Sequence, residues 1–256
     1  LSAPPEHEHA WPYGTKWRRE KRHRPLYPTP DETMREDIPF ESERRTMVEY
    51  QIRRRGIRDE RVLEAMFRVP RHEFVSPAYV GAAYEDRPLP IGESETISQP
   101  YIVAAMTAAA RVNPGDKALE IGTGSGYQAA VLAFLGAKVY SMERNFQLAE
   151  SARARLARLG FDAVEVLWGD GTEGHPATAP FQVILVTAAS PEIPAPLMEQ
   201  LDDGGRLVIP VGDLSHQDLK LIFKHGEQFA TRFLDPCQFV PLIGRYGWPE
   251  KRDRVH

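Results

Sequence analysis

Three acids, Glu120, Glu143 and Asp170, punctuate the middle of the chain about one strand and one helix apart. The first stands two residues ahead of a glycine series, Gly122, Gly124 and Gly126, in the stretch LEIGTGSGY. Glycine allows backbone to approach a ligand that a Cβ would block. On its own such a loop is equally an ordinary tight turn. Its G-x-G-x-G spacing departs from the G-x-G-x-x-G of dinucleotide pockets. A carboxylate at Glu120 also repels a pyrophosphate, but it suits a ligand bearing a sulfonium and an ammonium. Those are the cationic groups of S-adenosylmethionine. At Glu143 a carboxylate can accept both hydroxyls of a ribose. At Asp170, within Gly169–Asp170–Gly171, it can reach an adenine amino group. Each acid singly is also an ordinary strand-end carboxylate. Three in order, at successive strand ends, favour the cofactor.

A sulfonium transfers its methyl group in line, so the protein must mainly hold donor and acceptor close and aligned. A carboxylate acceptor is already ionised at neutral pH and needs no strong base. This fits the histidines: His72, His175, His216 and His225 form no recognisable base constellation. Ser98 differs. It lies in Thr96–Ile97–Ser98–Gln99–Pro100, where a loop becomes a helix. A hydroxyl there can cap the helix or hydrogen-bond an acceptor carboxylate, and sequence physics alone favours the cap. Cys237 is the only cysteine, which excludes an intrachain disulfide and a cysteine-based metal site. No metal is expected.

These residues need an α/β frame. From residue 117 the pattern alternates: strands over 117–121, 138–142, 164–168, 182–187 and 206–211, helices over 127–135, from Asn145 to Gly160, and over 194–201. Residues 202–205 read as a turn. That rhythm argues for a parallel sheet covered on both faces, and ligands of such sheets sit beyond the carboxyl ends of the strands. Residues 219–224 and 228–234 flank His225–Gly226–Glu227 as a hairpin, so antiparallel strands are expected at one edge. Upstream, helical stripes run from residue 42 to Gly56 and over Val62, Leu63, Met66, Phe67 and Val69, stopped by Pro70. Residues 86–98 read as a polar loop, and 101–110 as a helix.

Residues 1–42 stand apart as a proline-rich arm that contains KWRREKRHR, with a methyltransferase domain expected over 43–256. The basic run could serve a nucleic acid, but flanking acids cancel it and a solvated tail is the favoured reading. The whole chain carries a formal charge of −4, with 42% hydrophobic and 27% charged residues, so nucleic-acid binding is not expected. No apolar run approaches the ~18–20 residues of a membrane span. No signal peptide is visible, and the chain opens on Leu1, which leaves processing of the N-terminus open. A cytoplasmic location is expected, and a monomer.

Over residues 47–244 the chain resembles protein-L-isoaspartate (D-aspartate) O-methyltransferases of the bacterial type. The resemblance is carried by RGIRDERVLEAMFRVPRHEFV (55–75), YEDRPLPIG (84–92), TISQPYIVAAMT (96–107) and LEIGTGSGYQAAVLA (119–133). It continues in GDGTEG (169–174), VTAASPEIPAPLMEQLDDGGRLVIPVG (186–212) and FVPLIG (239–244). TISQPYIV and the FVPL ending are the narrowest of these. The resemblance implies a doubly wound Rossmann-like sheet with antiparallel edge strands and N-terminal helical additions. It implies methyl transfer from S-adenosylmethionine to the free α-carboxylate of isoaspartyl residues in damaged proteins. S-adenosylhomocysteine is left, and the ester closes to a succinimide whose hydrolysis returns some aspartate. The active-site serine then falls on Ser98, reversing the preference for a cap. Cofactor contacts fall on the Gly122–Thr123–Gly124–Ser125–Gly126 loop, Glu143 and Asp170–Gly171, beside Glu120. Substrate contacts fall on Thr96 and Ile97 and on Val240, Pro241 and Leu242.

Two departures bear on substrate choice. GESETIS replaces the family's commoner GYGQTIS, which sets Glu93 and Glu95 beside a site meant for an anion. A carboxyl methyltransferase of one dedicated protein would share most of these motifs, as would a non-catalytic cofactor-binding module. A nicotinamide dehydrogenase fits worse, on the glycine spacing and on Glu120.

Overall fold

The computed structural model describes residues 38–250. Most of the expected arm, residues 1–37 with its basic run, lies outside the described residues, as do residues 251–256. Phe40 packs its ring on His72, 4.7 Å away, and α1 (Glu41–Thr46) begins immediately after it. A π-helical turn, Met47–Ile52, extends α1 until Gly56 adopts a left-handed φ of 101°. Asp59 then caps α2 (Glu60–Arg68), accepting from the backbone N–H groups of Arg61 and Val62. Burial of Val62, Leu63, Ala65 and Met66 on one side makes the expected stripe real.

The expected polar loop at 86–98 is not a loop. It folds into a hairpin, β1 (Leu89–Gly92) against β2 (Glu95–Ile97), with Leu89 opposite Ile97 and both buried. Its two-residue turn, Glu93–Ser94, holds φ at 51° and 60°. Hairpin turns of this hand favour asparagine and glycine, so Glu-Ser gives no local turn signal. Helix α3 (Pro100–Ala110) follows, with proline in the first turn as expected.

Seven strands make the main sheet: β3 (Lys117–Ile121), β4 (Lys138–Glu143), β5 (Val164–Trp168), β6 (Phe181–Val186), β7 (Leu201–Gly212), β8 (Gln217–His225) and β9 (Gln228–Cys237). Their order is β5-β4-β3-β6-β7-β8-β9. The first five are parallel, and β8 and β9 add to β7 antiparallel, as the hairpin signal implied. Alternation along the central strands divides the core. Ala118, Val139, Val183, Leu185 and Val208 face one cluster with α2, α3, α4 (Tyr127–Phe134) and α5 (Phe146–Arg158). Leu119, Ile121, Ile184, Val186 and Leu207 face another with Leu197 of α6 (Ala195–Glu199) and Leu242. The sheet is thus covered on both faces, the doubly wound arrangement expected.

The turn expected at 202–205 is instead a bulge inside β7. Phe181 pairs with Leu201 while Val183 pairs with Arg206, so extra residues bow out of one strand. Leu201 stays in place because its carbonyl accepts from Lys224 Nζ at 2.6 Å.

Candidate active site

The connections leaving β3 and β6 part company at neighbouring strands, and a cleft opens between them. Counted together with the open solvent at its mouth, it spans about 780 Å³. Five segments make most of its wall: 95–98 from β2 and the residue after it, 120–125 from β3 and its loop, 142–144 at the end of β4, Thr187–Ala188 after β6, and 240–243; Val103, Tyr127, Gln128 and Gly171 complete it. The last segment is held there by two backbone bonds of 2.8 Å: Ala189 N–H donates to Val240 O, and Leu242 N–H donates to Ala189 O.

The glycine loop is shaped first by the protein's own packing. Gly122 has φ 96°, and a Cβ there would stand 2.5 Å from Thr187 Oγ1. That hydroxyl donates to Gly122 O at 2.7 Å, which ties the β3 loop to the end of β6. Gly126 starts α4 with φ 90° and lies against Leu156 of α5. It is not on the cleft wall, whereas Gly122, Thr123 and Gly124 are.

Glu143 organises the loop from the next strand. Its Oε2 accepts from Gly124 N–H and its Oε1 from Asn145 N–H, both at 2.9 Å. Each oxygen keeps a further lone pair for a ligand. Asn145 in turn caps α5, accepting from Leu148 N–H at 3.1 Å.

Glu120 is fully buried at the floor of the cleft. Its register partner on β4 is Ser141, whose hydroxyl donates to Glu120 Oε2 and meets Thr123 Oγ1 at 2.6 Å. Glu120 Oε1 has no hydrogen-bond partner among the described residues. Burial pushes the carboxyl pKa up to about 8, against the pull of Ser141, and Glu143 adds to the rise. Between the ordinary value of 4.5 and about 8, the folded protein therefore keeps a proton that the unfolded chain has lost. Stability from this site falls as pH rises through that window. Glu120→Gln, which mimics the protonated acid, should melt above the wild type at pH 8.5, and the gap should close towards pH 4. Scanning calorimetry at the two pH values checks this, and the same variant should lose affinity for a cationic ligand.

Ser98 does not cap α3. Helix α3 is capped by Gln99 with no side-chain hydrogen bond, and the Ser98 hydroxyl has no partner among the described residues. Ser98 and Thr96 line both the cleft and a neighbouring groove; Thr187 and Val240 are likewise shared. One groove wall is Arg55, stacked 3.4 Å from the Tyr101 ring centre and paired with Asp86 at 3.0 Å. Tyr101 reaches Asp235 at 3.4 Å. Ile97, Pro241 and Leu242 also line the cleft, so the expected substrate residues lie together.

Asp170 follows the end of β5, as expected, and is held by the fold's own donors. Its Oδ1 accepts from Thr172 N–H and Oγ1, at 2.9 and 2.7 Å, and its Oδ2 from Arg245 N–H at 2.8 Å. It faces an adjoining hollow, while Gly171 lies on the cleft wall. The pair of acids expected beside the substrate also separates. Glu93 accepts from Asn145 Nδ2 at 3.1 Å, whereas Glu95 lines the cleft beside Glu143. Sequence reasoning missed Thr187, Arg144 and Gln128, all on the cleft wall. The strand-end rule, applied to β6, could have found Thr187.

The donor set fits S-adenosylmethionine. A buried carboxylate with one unpartnered oxygen, on a residue that lines the cleft, suits an ammonium, and an anchored second carboxylate suits a ribose. Among the described residues there is no group of three or more metal-ligating side chains. No described helix is long and apolar enough to cross a membrane.

The family model described as protein-L-isoaspartate(D-aspartate) O-methyltransferase (PCMT) matches residues 42–247. The chain belongs to this family. A protein-L-isoaspartate O-methyltransferase of Methanoregula boonei is 57% identical over 210 residues, 82% of this chain and 97% of the relative. One of Methanoculleus marisnigri is 58% identical over 210 residues, 82% and 96%. Among solved structures, a protein-L-isoaspartate O-methyltransferase superposes with TM-score 0.72 at 30% identity, covering 80% of this chain and 67% of that one. A candidate member from Plasmodium falciparum, in complex with S-adenosyl-L-homocysteine, gives TM-score 0.69 at 25% identity, covering 78% and 98%.

Proposed function

We propose that this member of the family methylates the free α-carboxylate of L-isoaspartyl residues in proteins, and so starts their return to aspartate through a succinimide. The observation that carries the reading is the Ser98 hydroxyl. It is unpartnered among the described residues and sits on the strand end shared by the cofactor cleft and the groove. When bound, S-adenosylmethionine supplies an electrophilic methyl group on a positively charged sulfur.

The chain supplies position. Glu143 would hold the ribose hydroxyls, and Glu120 the ammonium, giving up its proton as the cation arrives. Gly171 would lie along the adenine, while Asp170 holds the turn behind it through Thr172 and Arg245. Thr96 and Ser98 would receive the substrate carboxylate from the groove side, and the Ser98 O–H would donate to it. Val240, Pro241 and Leu242 would flank the substrate backbone. No described histidine lines the cleft, and an ionised carboxylate needs none. Alignment then accounts for the rate.

An isoaspartyl linkage carries its free carboxylate directly on Cα, one methylene nearer the chain than an aspartyl side chain. A groove that fixes the peptide relative to Ser98 can discriminate on that reach. Incubation with methyl-labelled donor and an isoaspartyl peptide should yield base-labile label, and the aspartyl twin should yield little. Equal labelling of both peptides, or of neither, counts against the reading.

A further inference from the structure

Glu95 is an unusual side chain for its position. It is half-buried on the cleft wall, yet its carboxylate makes no hydrogen bond or ion pair among the described residues. The hairpin register fixes this placement. Gly92 pairs with Glu95 and Pro90 with Thr96, so successive β2 side chains alternate between faces. Thr96 reaches the groove; Glu95 lines only the cleft. The turn is pinned by Glu93 to Asn145, and a Cβ on Gly124 would stand 3.2 Å from Ile91, so β1 and β2 lie close against the cofactor loop. The Glu95 carboxyl pKa is raised, first by burial and then by Glu143, against the opposing pull of Arg144, so an acid and a cation of the cleft wall lie within its field. Glu120 adds a third acid, with a buried oxygen still lacking a partner at the same cleft. Two of the three have protein hydrogen bonds that hold them; Glu95 has none.

We propose that Glu95 discriminates between methyl donor and demethylated product by the charge on sulfur. This rests on the cofactor assignment made above. Donor and product share adenine, ribose, ammonium and carboxylate, and differ in the methyl group and the sulfonium charge. Transfer moves the methyl carbon from sulfur to a carboxylate oxygen. The C–S bonding pair stays on sulfur, which becomes a neutral thioether. A half-buried carboxylate that no hydrogen bond or ion pair occupies, with Arg144 only in its wider field, attracts the cationic form and gains little from the neutral one. Hydrogen bonds to ribose, by contrast, are the same in both states. Glu95 thus favours loading with donor and weakens retention of product, a role that Glu143 cannot supply through the ribose alone. It is a specificity-determining residue and takes no proton in the reaction.

The test is titration calorimetry of S-adenosylmethionine and S-adenosylhomocysteine against wild type, Glu95→Gln and Glu93→Gln. Glutamine keeps the size of residue 95 and removes only its charge. Donor affinity of Glu95→Gln should fall on the order of tenfold while product affinity changes less than about twofold. Glu93→Gln removes the same charge from a carboxylate held by Asn145, and should leave the donor-to-product ratio near that of wild type. Equal losses for both ligands in Glu95→Gln, or no loss, overturn the proposal while leaving the cofactor assignment intact. An equal shift of the ratio in Glu93→Gln also overturns it, since the effect would then be that of net charge. Failure of the wild type to bind either ligand would overturn the cofactor assignment itself.

Discussion

Ser98→Ala should lower kcat/KM for an isoaspartyl peptide on the order of 10–100-fold, with donor affinity changed less than about twofold. One hydrogen bond to a charged acceptor contributes roughly 1.5–3 kcal/mol, which sets that range. The melting temperature should not move, because the hydroxyl has no hydrogen-bond partner among the described residues and α3 does not use it as a cap. Those three readouts separate positioning from structure. A serine that capped α3 would cost about 1 kcal/mol of stability when replaced, with little effect on turnover. Steady-state kinetics, donor titration and a thermal melt on one variant therefore decide between the two roles. Unchanged turnover would reject the assignment.

Glu143→Ala should have the largest effect on cofactor binding, on the order of 100-fold or more, and it should weaken donor and product alike. The equality matters because both ligands carry the same ribose. It contrasts with Glu95→Gln, where only the donor should suffer. Glu143 has a second task in the ligand-free protein. It accepts from Gly124 N–H and Asn145 N–H, so its loss leaves two backbone donors without a partner and loosens both the β3 loop and the start of α5. A lower melting temperature should therefore accompany the lost affinity. Calorimetry showing wild-type affinity for both ligands would remove Glu143 from the site.

What could be read in advance follows the range of the interactions involved. Asn145 as a cap, the glycine loop between β3 and α4, and the β8–β9 hairpin depend on neighbours a few residues away. Their signals are local, and the structure has them close to where they were expected. The β1–β2 hairpin was hidden because its turn is Glu93–Ser94, a pair without turn preference, and because only Leu89 and Ile97 mark its buried side. Thr187 is marked locally only by its place at the end of β6; its tie to the β3 loop, 65 residues away, comes from the pairing of β3 with β6. Asp170 was expected at a strand end within reach of an adenine amino group; that it also accepts from Arg245 N–H, 75 positions later, no local pattern displays. Glu95 could be quoted as a departure from its family, yet its direction required the hairpin register. The cap-or-ligand ambiguity at Ser98 was genuine at the level of sequence, because both roles use the same hydroxyl at the same junction.

The central claim is that β2 divides a methyl-donor cleft from a peptide groove and that Ser98 bridges the two. A crystal structure with S-adenosylhomocysteine and an isoaspartyl peptide tests it most directly. The predicted result is a free peptide carboxylate within about 3 Å of Ser98 Oγ, with the ribose on Glu143 across the strand. A peptide carboxylate seated elsewhere, with the serine hydroxyl turned into the first turn of α3, would contradict it.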